Sequence, residues 1–93
     1  MAESKYKGLD TEAMVIKALA EILQKGEDEI ELSMNLRDGL EVDSLDTVEL
    51  LMEAEDAYDL EIDSTEIDPE KIVTVRDMVA FVEQKLADKK AQE

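Results

Sequence analysis

Apolar spacing constrains this chain more than any other feature. Three stretches place aliphatic residues at intervals of three and four, the repeat of one helical face. In the first, Met14, Val15, Ala18, Leu19, Ile22 and Leu23 form a stripe, with Asp10 or Thr11 to cap its start and Gly26 to end it after Lys25. That spacing predicts a helix over about 11–25. The second begins at Asp43-Ser44-Leu45-Asp46 and runs to Tyr58, with Leu45, Val48, Leu51, Met52 and Tyr58 expected on its core side. Asp43 or Ser44 can cap the free first-turn amides, and the helix dipole favours the charge of Asp46 there. The third opens with the capping-box-like Thr74-Val75-Arg76-Asp77 and carries Val75, Met78, Val79, Val82 and Leu86. Asp68-Pro69-Glu70-Lys71-Ile72 adds a short helix, with Asp as cap and Pro at the first position.

One stretch competes with this pattern. Residues 29–36 alternate polar and apolar, as a strand does. No second strand-like run offers a partner, and a lone strand leaves its backbone groups unpaired. An extended loop that drops Ile30, Leu32, Met34 and Leu36 onto a helical core is expected instead, followed by a helical turn over 36–40 and a bend at Asp38-Gly39. The expected fold is all-α: a small four-helix bundle of three longer helices and one short, with a long loop between helices 1 and 2. Residues 1–8 read as a flexible leader, 9–86 as the domain, and 87–93 as a polar tail that frays.

A chain of 93 residues makes one small domain. Hydrophobic residues make up 44 %, enough for a globular core, but aromatics only 3 %, so the core must be aliphatic and Met. Without cysteine there is no disulfide and no thiolate. The first residues lack a signal peptide's apolar segment and no run is long enough to cross a bilayer, so a cytoplasmic monomer without membrane insertion is expected. The net charge of −16 argues against nucleic acid and favours basic protein surfaces as partners. From Asp38 through Glu70 there are fourteen acids and no Lys or Arg. Such a block is commonly a solvated face, but its purity makes recognition plausible. Asp46, Glu49, Glu53 and Asp56 form an acidic ridge along the second helix, destabilised by like-charge neighbours one turn apart.

Catalytic signals are nearly absent, and no enzyme is expected. With neither His nor Cys, nucleophile–histidine arrangements cannot form. Asp59, Glu61, Asp63 and Glu70 fall at positions one, three, five and twelve of a calcium loop. Ser64 stands where that loop needs Gly, Glu66 where it is apolar, and Pro69 precedes the last ligand. No specific metal site is expected, only weak attraction of divalent cations to the acidic surface.

Taken alone, Ser44 reads as an N-cap. Its surroundings point further. The run Leu40-Glu41-Val42-Asp43-Ser44-Leu45-Asp46-Thr47-Val48-Glu49-Leu50 resembles the acyl carrier proteins. The resemblance continues through Glu55-Asp56-Ala57-Tyr58-Asp59-Leu60-Glu61-Ile62 and Ile72-Val73-Thr74-Val75-Arg76-Asp77, and spans about 9–86. It implies a four-helix bundle with a 4′-phosphopantetheine arm on Ser44, installed from coenzyme A by a phosphopantetheinyl transferase, with acyl groups carried as thioesters on the arm's sulfur. Asp43 would assist modification and Leu45 would pack at the site. Asp46, Val48, Glu49, Met52, Glu53 and Asp56 would meet basic docking patches on acyl-transferring and condensing enzymes of fatty-acid or polyketide type. The bundle interior would shelter the acyl chain, with Val15, Leu19, Met52, Val79 and Val82 among its lining.

The chain departs from that family at Glu41, where members usually have Gly three residues before the serine. Glycine has backbone freedom that Glu lacks, which implies a differently shaped loop before Ser44. Asp43, in place of the histidine common in peptidyl carriers, points to acyl rather than aminoacyl cargo. The alternative is an acidic interaction or calcium-binding module with Ser44 unmodified.

Overall fold

The computed structural model describes residues 9–68 and 70–92. The expected leader, 1–8, lies outside the described residues. Three α-helices form: α1 (Thr11–Leu23), α2 (Ser44–Tyr58) and α3 (Val75–Gln92). The fold is all-α, as expected, and no strand occurs among the described residues.

Each helix start has a local cause. Asp10 caps α1, its Oδ1 accepting the Ala13 N–H at 2.8 Å. In front of α3, Thr74 and Asp77 close a reciprocal box. Asp77 Oδ2 accepts the N–H groups of Val73 and Thr74, both at 3.0 Å, and Thr74 Oγ1 accepts the Asp77 N–H at 3.2 Å. These bonds to the charged form hold the Asp77 carboxyl below its ordinary range.

The end of α1 differs from expectation. Gln24, not Gly26, takes the left-handed conformation at φ 57°. The Lys25 N–H reaches back to the Ala20 carbonyl at 2.9 Å, so the helix closes at Leu23. Gly26, at φ −77°, instead precedes a 3-10 turn over Glu27–Glu29.

Loop residues 30–42 cross the bundle and meet the chain before α3. The Leu36 N–H donates to the Val73 carbonyl at 2.8 Å, and the N–H groups of Val75 and Arg76 donate to Met34 and Leu32 carbonyls at 3.0 and 2.9 Å. An isolated antiparallel bridge joins Asn35 to Thr74. The alternating segment thus finds a partner in residues 73–76, where no strand pattern marks one. Ile30 and Leu36 are buried in the core, and Leu32 and Met34 pack against it in part.

Of the short helix expected over 68–72, Pro69 lies outside the described residues, and Glu70 and Lys71 form a turn. Asp68 Oδ1 accepts the Glu70 N–H at 2.9 Å, and the Asp68 carbonyl accepts Lys71 and Ile72 N–H groups at 2.9 and 2.8 Å. The chain must be extended by Val73 to pair with Leu36, which leaves no room to propagate a helix. A 3-10 turn forms earlier, at Ser64–Glu66, so the described residues hold three α-helices and not four. The tail expected to fray from 87 is helical through Gln92. Lys89 anchors it, its Nζ donating to the Tyr58 and Asp59 carbonyls at 3.1 and 2.7 Å.

The core is aliphatic and Met: Met14, Val15, Leu19, Leu50, Val75, Met78 and Val82 are its largest fully buried side chains. α1 is central and packs on both other helices, while α2 and α3 barely meet. The space between their N-terminal halves is walled by loops, and there the candidate site lies.

Candidate functional site

The N-terminus of α2 is tied by two aspartates. Asp43 is the N-cap: its Oδ1 accepts the Asp46 N–H at 2.8 Å, and Asp46 Oδ2 accepts the Asp43 N–H at 3.3 Å. Thr47 adds a bond from its Oγ1 to the Asp43 carbonyl at 3.0 Å. Because Asp43 does the capping, Ser44 is the first helical residue and its hydroxyl is outside the cap. Ser44 is exposed. The N-cap role open to it in the sequence belongs to its neighbour.

Beside Ser44 opens a cleft of about 270 Å³. Asp43, Ser44, Thr47 and Val48 line one side, Leu36, Arg37 and Val42 another, and Ile67, Ile72 and Met78 the rest. Most of these side chains are apolar. The Ser44 hydroxyl therefore stands where solvent, helix start and an apolar recess meet. The five residues expected to line a shelter (Val15, Leu19, Met52, Val79, Val82) do not line this cleft. Met52 is exposed, and the other four are buried core residues.

α2 shows two apolar stripes where the sequence suggested one. Leu50, Leu51 and Ala54 are buried. Leu45, Val48 and Met52 point outward, at 72 %, 39 % and 57 % exposure, and Tyr58 is half-buried. The expected core side mixed residues of both faces. Leu45 and Met52 remain open to solvent, and Val48 stands at the edge of the cleft. Glu49 and Asp56 are exposed near them, and Glu53 is half-buried. The ridge is not wholly uncompensated, since the Asp46 carboxylate serves the capping box.

The departure at Glu41 falls in the loop before Ser44. Glu41 itself takes φ 59°, the left-handed region that glycine enters readily. Glutamate thus adopts a backbone conformation that glycine enters at lower cost. Gly39 serves a different need. A Cβ there would meet the Asn35 carbonyl oxygen at 2.7 Å.

Within the calcium-like stretch, Asp63 and Glu66 are engaged otherwise. Asp63 accepts both the N–H and Oγ1–H of Thr65 at 2.9 Å, which lowers its pKa. Lys85 donates to Glu66 at 2.6 Å and lowers that carboxyl in turn. No cluster of three potential metal ligands occurs among the described residues. No helix among them is long and apolar enough to cross a membrane.

Sequence reasoning missed Arg37 and the wall formed by Ile67, Ile72 and Met78. Arg37 had a signal, as the lone cation between Lys25 and Lys71. The wall had none, because its members meet only through the fold. Also missed was Glu55, whose Oε2 accepts the Ile62 N–H at 3.0 Å and ties the following loop to α2.

Residues 14–82 match the family described as phosphopantetheine attachment site. The chain is also similar to the acyl carrier protein of Exiguobacterium sp., 42 % identical over 72 residues, which is 77 % of this chain and 89 % of that protein. The chain belongs to the acyl carrier protein family and contains that family's phosphopantetheine attachment domain.

Proposed function

We propose that Ser44 carries the 4′-phosphopantetheine arm and that the chain is a non-catalytic acyl carrier of the cytoplasm. The observation that supports this best is the position of Ser44: exposed, first in α2, outside the cap, at the mouth of an apolar cleft. A transferase can reach such a hydroxyl, and a helix N-terminus favours the negative charge of a phosphodiester. When bound, the arm supplies a terminal sulfur on which acyl groups ride as thioesters, so the chain needs no cysteine of its own.

The remaining roles follow from position. Asp43 holds the helix start, and so sets the direction in which Ser44 is presented. Leu45, Val48 and Met52 form an uncovered apolar strip, with Asp46, Glu49, Glu53 and Asp56 along it. An apolar centre with charged margins suits brief docking to basic patches, on the transferase and on acyl-transferring or condensing enzymes. The cleft walled by Leu36, Val42, Ile67, Ile72 and Met78 suits the start of an acyl chain.

The test is intact mass after incubation with coenzyme A, magnesium and a phosphopantetheinyl transferase. A gain of one phosphopantetheine, absent in Ser44→Ala, is the expected result. An unmodified wild-type chain, or a Ser44→Ala chain that still gains the mass, overturns the assignment.

A further inference from the structure

Arg37 lines the same cleft as Ser44. It is the lone basic residue in 26–70, a segment that is otherwise densely acidic. Its backbone is held on both sides. The Arg37 N–H donates to Asn35 Oδ1 at 3.0 Å, and its carbonyl accepts the Glu41 N–H at 3.0 Å. Asn35 Oδ1 also accepts the Asp38 N–H at 2.9 Å, and Asn35 is bridged to Thr74. The turn that presents Arg37 is thus anchored to the start of α3. A cation is built into the rim of the cleft where the chain has no other nearby in sequence.

We infer that Arg37 is a positioning residue that pairs its guanidinium with the phosphodiester of an arm on Ser44. The inference rests on the Ser44 assignment. Attachment of the arm adds a negative charge next to Asp43 and Asp46, and besides the helix N-terminus Arg37 is the one basic side chain of 26–70 that can oppose it. A planar guanidinium presents two parallel N–H donors to two phosphate oxygens, a rigid fork that an ammonium lacks. Pairing there restricts the root of the arm and directs it along the cleft rather than into solvent. Exposed pairs are screened by salt, so the effect weakens as ionic strength rises.

The test uses the full chain, first as apo and then as holo protein, with intact mass to establish conversion. With the arm in place, the Arg37 Nε–Hε NMR signal is expected to shift between apo and holo wild type. The phosphorus resonance is expected to differ from that of free phosphopantetheine. It moves toward the free position in Arg37→Gln or at high salt, and less so in Arg37→Lys. A holo protein whose Arg37 signal is unmoved, or whose phosphorus resonance is the same in wild type and Arg37→Gln, overturns the inference while leaving Ser44 assigned. A wild type that gains no mass overturns the assignment and the inference together. The apo-to-holo comparison needs no variant, so a substitution that impairs folding does not decide the matter.

Discussion

Glu41 donates its backbone N–H to the Arg37 carbonyl at 3.0 Å, and the turn so closed leaves Glu41 at φ 59°. A residue with a Cβ costs roughly 1–2 kcal/mol in that region. Glycine avoids the cost but loses more entropy on folding, roughly 0.5–1 kcal/mol. Glu41→Gly is therefore expected to stabilise the chain by about 0.5 kcal/mol, a rise of a few degrees in Tm. Thermal unfolding of the apo protein checks it. A fall in Tm would show that the Glu41 side chain contributes more than its backbone costs.

Gly39 gives the opposite expectation. An added methyl would press on the Asn35 backbone at 2.7 Å, which cannot swing aside as a side chain can. Gly39→Ala is expected to lose about 1–3 kcal/mol, the usual range for forced overpacking. Urea unfolding measures it, and an unchanged midpoint would mean that the turn yields freely.

The Tyr58 hydroxyl is buried without a hydrogen-bond partner among the described residues. An unmet buried hydroxyl costs about 1–3 kcal/mol. Tyr58→Phe is expected to raise stability by about 1 kcal/mol. A clear loss instead would reveal a partner for the hydroxyl in solution, such as a bound water.

Asp77 makes stability depend on acid. Its folded pKa is depressed by the Thr74 and Val73 N–H groups, so the charged form stabilises the fold. That contribution is complete above its unfolded value, near pH 4, and is lost as pH falls through the lower folded value. Asp77→Asn cannot titrate. The stability advantage of wild type over this variant is expected to be constant near neutrality and to shrink below about pH 4. A difference that stays constant into acid would remove the carboxylate from the account.

On the outward face of α2, Glu49 is exposed within a like-charged row. Each unfavourable neighbour costs a few tenths of a kcal/mol, roughly 0.2–0.5. Moderate salt or millimolar divalent cations are expected to raise Tm. Glu49→Lys should keep the fold, with Tm equal or higher, while weakening association with the transferase at low ionic strength. Undiminished binding by the variant would mark the row as a solvated surface only.

What the sequence determined by itself was whatever depends on near neighbours. The span of α2 was legible from Asp43 to Tyr58, because its cap and apolar repeat lie within a few residues of one another. The start of α3 was legible for the same reason, in the Thr74–Asp77 box. Ser44, the serine proposed to carry the arm, was marked in the sequence only by a resemblance carried by continuous motifs. Tertiary structure decided the rest. Leu45, Val48 and Met52 repeat at the spacing of a core stripe, and only the tertiary packing determines that Leu50, Leu51 and Ala54 are covered instead. The partner of Leu36 is Val73, whose own neighbours show no strand alternation, so the pairing exists only once the bundle brings them together. Among the described residues, the left-handed positions fall at Gln24, Glu41 and Asp59, where closure of the chain requires them, and not at Gly26 or Gly39. The cleft joins side chains from Leu36 to Val48 with Ile67, Ile72 and Met78, and no local pattern can place a hollow between segments that only the packing of the bundle brings together.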